Sequence, residues 1–433
     1  MMFTTYDYAR TLMLKLDLAI PEPGGGCRVM CTFDQALEMV KQIDRIMPGY
    51  QKVIYLVGWQ YNGHDDRYPD FFEVNEHLKS PKDPTARESL LRLVETAKNY
   101  HTVISYHINL SDAYPESALW QEYLDHGLIL CGRNGQPKPT GVWNGRKAYQ
   151  VRLEQEWKSG YFQKRVDRLL ELLPIEEAGT IHIDAFFVRR GKSTSIPREK
   201  LARRNMIAYF NRRGVEVTSE FIYREWQSGI RVHFGKSDTI GLISAFWNPV
   251  FSPRDILRYP AAAVGFGEQC NALTPFQSLE WLIYGNMHGE DLLHPEDSEW
   301  PQKFLKRFIT YTVPHYYLNQ FTRLKIKGIG KSIRLLHSDG VVSFAREKRI
   351  EQNGCVLKCG NDLCLPEAVR SGSYLAYSET GGEQVWHLAG RTARVYRLTA
   401  DGRSEQYDAV NIADGKIHYL TQPETAYQIE VDI

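Results

Sequence analysis

The sequence predicts an α/β protein, a (β/α)8 TIM-type barrel followed by a C-terminal antiparallel β-domain, and three observations carry that prediction. Strand-like segments that are apolar throughout alternate with helix-like segments from about residue 50 to 320, the signature of a parallel sheet covered on both faces. That span is near the usual length of a single barrel. After about residue 321 the texture changes to short alternating segments whose turns carry Asp339-Gly340, Asp401-Gly402 and Asp414-Gly415, which are hairpin signals. The expected division is a lead-in segment over 1–44, the barrel over 45–320 and a β-sandwich over 321–433.

The elements are read in order. Residues 52–59, KVIYLVGW, are rich in β-branched and aromatic side chains and end at a polar, Gly-rich segment, so they read as a buried strand. Residues 85–99 then place Leu90, Leu91, Val94 and Ala97 near helical spacing behind Thr85 and Glu88, a capping-box pair. Further strands are expected at 102–109, 181–188, 215–222 and 239–247, and helices at 115–126, 197–213, 253–264 and 300–319. The stretches 127–150 and 264–290 stay ambiguous. A doubly wound open sheet is the runner-up, but the first strand leads into GWQYNGHDD, which lacks the G-x-G-x-x-G phosphate fingerprint.

Composition narrows the function. Lys plus Arg number 53 against 52 Asp plus Glu, so there is no basic excess to neutralise a nucleic-acid backbone. No apolar run approaches the roughly 20 residues a membrane-spanning helix needs. The first twenty residues interrupt their apolar run with Asp7, Arg10, Lys15 and Asp17, which leaves no signal-peptide core and makes a cytoplasmic location the default expectation. Seven cysteines are an odd number and are expected as reduced thiols. Cys355, Cys359 and Cys364 are closely spaced, but their gaps do not match paired C-x2-C knuckles. No metal or cofactor is expected, and the oligomeric state is left open.

In a parallel barrel, working residues collect at the C-terminal ends of the strands. Here those ends carry His64, Asp65 and Asp66, then His107 and Asn109, then Asp184, then Glu220. Asp184 lies between His182-Ile183 and Ala185-Phe186-Phe187, and burying a carboxylate is costly unless it is hydrogen-bonded or used. The plain alternative is that Asp184 caps a helix or pairs with Arg189 or Arg190, and Glu220 with Arg224. Two acidic groups at a mouth rich in Tyr and Trp also match what glycoside hydrolysis requires.

Four ordered motifs sharpen this. YLVGWQYNGHDDRYPDFFEVN at 55–75, YHINLSDAYPE at 106–116, HIDAFF at 182–187 and VEVTSEF at 215–221 resemble the G-x-x-x-x-GHDS-x-x-PDYG, HVN-x-x-E-x-YPE, Y-V-D and G-x-x-x-x-TE segments of glycoside hydrolase family 101. Those are the endo-α-N-acetylgalactosaminidases, and the related family 129 of α-N-acetylgalactosaminidases is similar. The chain departs from the pattern at Asp66, where the family has Ser, and at Phe71-Phe72, where it has Tyr-Gly.

The resemblance implies a retaining α-glycosidase acting on α-linked N-acetylgalactosamine, or Galβ1,3GalNAc, of an O-glycan or glycopeptide. It makes Asp184 the nucleophile and Glu220 the general acid/base, with carboxyl groups about 5 to 5.5 Å apart. His64 and Asp65 would grip sugar hydroxyls; Tyr106, His107, Asn109, Trp143, Trp226 and Trp247 are the other substrate-binding candidates. Three alternatives stay open: an α-galactosidase-like exo-glycosidase, a metal-dependent hydrolase using His64, Asp65, His107 and Asp184, and a catalytically inactive sugar-binding protein.

Overall fold

The computed structural model describes residues 6–7, 10–184, 186, 196–219, 239–242, 263–265, 289–328 and 332–432. Among the described residues, twelve strands precede the C-terminal domain: β1 (Leu12–Asp17), β2 (Ala19–Pro21), β3 (Cys27–Val29), β4 (Lys52–Val57), β5 (Thr102–Ile108), β6 (Asp112–Ala113), β7 (Pro139–Trp143), β8 (Arg146–Gln150), β9 (Thr180–Ile183), β10 (Glu216–Ser219), β11 (Thr239–Leu242) and β12 (Ala263–Gly265). Seven of them form one sheet in the order β1-β4-β5-β9-β10-β11-β12. The ladders from β1 through β10 are parallel.

Two features differ from expectation. β1 lies inside the stretch read as a lead-in, yet it pairs in register with β4 from Leu12 opposite Lys52 to Asp17 opposite Val57. Its apolar run is interrupted by Lys15, which is itself buried and ion-paired with Glu290, far along the chain. The second difference is direction: β11 pairs antiparallel with β10, and β12 with β11, an arrangement common at the margins of parallel sheets.

Helices cover the sheet. α1 (Phe33–Ile46) starts at Thr32, whose side chain and that of Gln35 form a capping box, and it turns Phe33, Ala36, Leu37, Val40 and Ile43 inward. α2 (Ala86–Ala97) carries the expected Thr85/Glu88 box. α3 (Trp120–Asp125), α4 (Leu153–Ser159), α5 (Tyr161–Leu172), α6 (Ile175–Ala178) and α7 (Ile196–Asn211) follow. The ambiguous stretch before residue 150 contains the hairpin β7–β8, turned by Asn144 and Gly145 at φ 50° and 73°, the left-handed pair that a tight hairpin turn requires.

The C-terminal domain runs from β13 (Arg323–Lys327) to β24 (Thr425–Asp432). Ten of its strands make one antiparallel sheet, and β20 (Gly382–His387) pairs with β23 (Lys416–Thr421) in a second. Trp386, Leu388, Val395, Ile417, Tyr427 and Ile429 pack into a small core of their own. The Asp339-Gly340 turn joins β14 (Arg334–His337) to β15 (Val341–Phe344), and both residues have positive φ, as the sequence signal demands. The described cysteines are all free thiols, and Cys364 is buried while Cys359 is exposed.

Candidate active site

The site is built on a shelf. After β4 the chain crosses directly over β2, and Gly58 and Gly63 are the residues that permit it. Both have positive φ, and a Cβ at either would lie 2.0 Å and 2.4 Å, respectively, from the Ala19 carbonyl oxygen. Only glycine tolerates that backbone and that approach. The crossing lets the His64 N–H donate to the Ala19 carbonyl at 2.9 Å, and Gln60 Nε2 donates to the Gly63 carbonyl and to the Tyr68 hydroxyl. Asp66 accepts from the Asn62 backbone and side-chain amides and from Arg146 on β8, which staples the β7–β8 hairpin to this loop.

The end of β5 meets the shelf. Trp59 Nε1 donates to the His107 carbonyl at 3.1 Å. The His64 ring stands edge-on to the His107 ring at 5.0 Å, and His107 stacks on His182 of β9 at 5.0 Å. His182 in turn meets Thr218 Oγ1 of β10 at 2.8 Å. Three neighbouring strands, β5, β9 and β10, and the loop after β4 are therefore tied by one polar column, in which His107 and His182 are fully buried.

Asn109 is the hub. Its Oδ1 accepts from the backbone N–H groups of Ser111 and Asp112, and its Nδ2 donates to Asp112 at 3.0 Å and to Asp184 at 3.1 Å. Asp184 follows the last residue of β9, and its own N–H donates to the Ile108 carbonyl. Ligand atoms of His64, Asp65 and Asp184 all lie within 4.8 Å of one another. Two carboxylates and an imidazole so placed can bind hydroxyls, hold a cation or attack an electrophilic carbon.

Two tyrosines complete the cluster. The Tyr68 phenol is held well above its ordinary pKa, first by burial and then by the charges of Asp65 and Asp184. Tyr114 is raised by burial and by Asp65 and Asp112. Both phenols stay protonated across the working range of an enzyme, so each keeps a proton it can donate near the carboxylates. The sequence reading missed them. Each precedes a proline, Tyr68-Pro69 and Tyr114-Pro115, and the Tyr114 N–H donates to the Tyr68 carbonyl, so the paired Tyr-Pro steps were the available signal.

Of the predicted site residues, His64, Asp65, His107, Asn109 and Asp184 are brought together. Tyr106 is not. It lies on the opposite face of β5, fully buried and edge-on to Trp59 at 5.5 Å, where the charges it feels are Arg87 and Glu177 and not the site carboxylates, as strand alternation dictates. Trp143 is 46% exposed at the end of β7, its indole lying across Gly141, in the hairpin that Arg146 ties to Asp66. Glu220, Trp226 and Trp247 lie outside the described residues, and so does the expected separation of Asp184 from Glu220.

Among solved structures, the chain is similar to the α-N-acetylgalactosaminidase NagBb from Bifidobacterium bifidum. The quadruple mutant matches with a TM-score of 0.55 at 12% identity, over 80% of this chain and 57% of that one. Its complex with GalNAc matches with a TM-score of 0.53 at 12% identity, over 80% and 58%. The chain thus spans under three fifths of that enzyme's length, and at such identity the likeness is one of fold. The family model described as endo-alpha-N-acetylgalactosaminidase matches residues 26–245, just over half of the 433 residues and all four motif segments, so the chain belongs to glycoside hydrolase family 101.

Proposed function

We propose that this protein is a retaining glycosidase that cleaves α-linked N-acetylgalactosamine, alone or as Galβ1,3GalNAc, from O-glycans or glycopeptides, on a sheet that belongs to a closed (β/α)8 barrel. The observation that carries the reading is the Asp184 carboxylate at a strand end, oriented by Asn109 and facing His64 and Asp65. In this reading Asp184 attacks the anomeric carbon as the bond to the leaving oxygen breaks, and Glu220 delivers the proton to that oxygen. Water, deprotonated by Glu220, then displaces Asp184 and restores the α-configuration.

Asp65 and His64 would hold hydroxyls of the sugar bound at the nucleophile, because a carboxylate accepting two hydroxyl bonds fixes orientation as well as affinity. Tyr68 and Tyr114 would donate to those carboxylates or to the sugar. Trp143, on the stapled hairpin, supports a role for that hairpin as a wall of the site.

The reading predicts hydrolysis of aryl α-N-acetylgalactosaminide with an α-configured first product by NMR. Asp184→Asn should lower kcat on the order of 10^4-fold or more for every leaving group. A β-configured first product, or an Asp184→Asn variant with wild-type turnover, refutes it. The His64/Asp65/Asp184 grouping favours one second reading, a divalent-metal hydrolase. Stoichiometric metal in purified protein, with activity lost to a chelator and restored by that metal, would select it.

A further inference from the structure

Beneath the site lies a charged pair that the proposed chemistry does not use. Glu156 on α4 and Arg165 on α5 are both buried, at 0% and 1% side-chain exposure. One guanidinium nitrogen, Nη2, contacts both carboxylate oxygens, at 2.6 Å and 2.9 Å. The Tyr123 hydroxyl donates to Glu156 at 2.7 Å. Burial pushes the Glu156 carboxyl above its ordinary pKa, while Arg165 and Tyr123 pull it back.

A pair of this kind is a poor stabiliser, since desolvating two ions offsets their attraction and apolar groups of similar volume serve as well or better. Its surroundings suggest another use. Nη2 of Arg165 also reaches the Leu110 carbonyl at 3.5 Å, the residue directly after Asn109. The guanidinium carbon Cζ lies 5.4 Å from the ring centre of Phe71, on the loop that carries His64, Asp65 and Tyr68. One turn further along α5, Arg168 sits over Phe72 at 3.9 Å. Phe71 and Phe72 are the positions where this chain departs from the family's Tyr-Gly. Nε and Nη1 of Arg165 have no hydrogen-bond acceptor among the described residues, so the guanidinium is spent on the ring and on the three acceptor oxygens of Nη2.

We infer that Arg165, fixed by Glu156 and Tyr123, is a positioning residue that sets the spacing between the two site loops. One loop, 58–75, supplies His64, Asp65 and Tyr68; the other, 109–116, supplies Asn109, Asp112 and Tyr114. It touches neither substrate nor the reacting atoms and acts through Phe71 and the Leu110 carbonyl. The inference rests on the glycosidase reading only for its kinetic consequence, because the loop spacing can be read without turnover.

The test uses the full chain with Glu156→Met and Arg165→Met combined, which keeps volume and removes both charges, and Arg165→Lys, which keeps charge and loses the planar fork. Expected for the double variant are an unchanged or raised Tm, kcat lower by about 10²-fold with KM changed far less, and faster amide exchange in both loops together. Should that variant not fold, Arg165→Lys carries the same kinetic and exchange readouts at near wild-type Tm. Folded variants with wild-type kcat, KM and loop exchange overturn the inference and leave the glycosidase reading intact. A wild type inactive on every α-glycoside, with the coupled loop exchange still observed, refutes that reading and leaves the brace standing.

Discussion

In the sheet domain, Lys15, Glu156, Arg165, Glu199 and Arg203 are all buried in the protein. In the C-terminal domain the Arg394–Asp432 and Arg403–Glu430 pairs stand half in solvent. The difference follows from what each half must do with its interior. The smaller C-terminal core is aromatic and aliphatic, and most of that domain's ion pairs face water, although Lys358 and Glu367 are buried there as well. The sheet domain has a polar interior, where Tyr55 meets Thr180 at 2.8 Å, Ser105 donates to the Thr180 carbonyl and His182 meets Thr218. Two of these buried charges, Arg165 and Arg203, lie near the strand ends that hold the candidate site. Arg203, for instance, pairs with Glu199 and lies 4.5 Å from the ring centre of Phe186, two residues beyond Asp184. Buried charge is the commoner device in the half that carries the candidate site, and it recurs in the other half at Lys358 and Glu367.

That contrast can be broken in three places. The largest effect is expected at Asp65. Asp65→Asn keeps the shape and removes the charge, so kcat/KM on an α-N-acetylgalactosaminide should fall about 10²- to 10³-fold with Tm little changed. Steady-state kinetics beside thermal unfolding measure both, and wild-type kcat/KM would remove Asp65 from the site.

Lys358 sharpens the comparison, because it is a buried cation in the C-terminal half. Burial first, and then Lys348, lower its pKa from 10.5 to about 8, against the opposing pull of Cys359 and Asp362. Between about pH 8 and 10.5 the unfolded chain holds a proton that the folded chain has released, so this group makes stability rise with pH across that window. The rise is up to about 3 kcal/mol. Lys358→Met should be more stable at pH 7 and should flatten the slope in urea titrations, and an unchanged slope would assign it elsewhere. The smallest effect belongs to Arg394→Ala, expected to leave Tm close to wild type because its partners are exposed; a clear drop in Tm would show that surface pairs also carry this domain.

The sequence made the strand-end chemistry legible because glycine, histidine and carboxylate fall at fixed places relative to the apolar runs. The G-x-x-x-x-G spacing has a direct cause in the two approaches to Ala19. What hid β1 was Lys15, whose partner Glu290 lies hundreds of residues away; local pattern cannot reveal a buried lysine satisfied at long range. Tyr106 was placed with its neighbours His107 and Asn109, although period-two alternation alone separates it from them. The β7–β8 hairpin carried its own marker in Asn144-Gly145, inside a stretch too polar to read as strand. Tyr68 and Tyr114 looked like any aromatic residue before a proline, and only their contact across two loops gives them a role.

The crossing of the first site loop over Ala19 also bears on how the chain can be cut. A fragment begun at residue 45, where the apolar strand pattern starts, would lose β1, β2 and α1 together. β4 would become an uncovered edge of consecutive Val, Ile, Tyr and Leu, the kind of edge that recruits other strands and aggregates. The loop bearing His64 and Asp65 would lose the carbonyl that its backbone hangs from. β1 and β2, which hold none of the candidate site residues, are what the loop bearing His64 and Asp65 is built on.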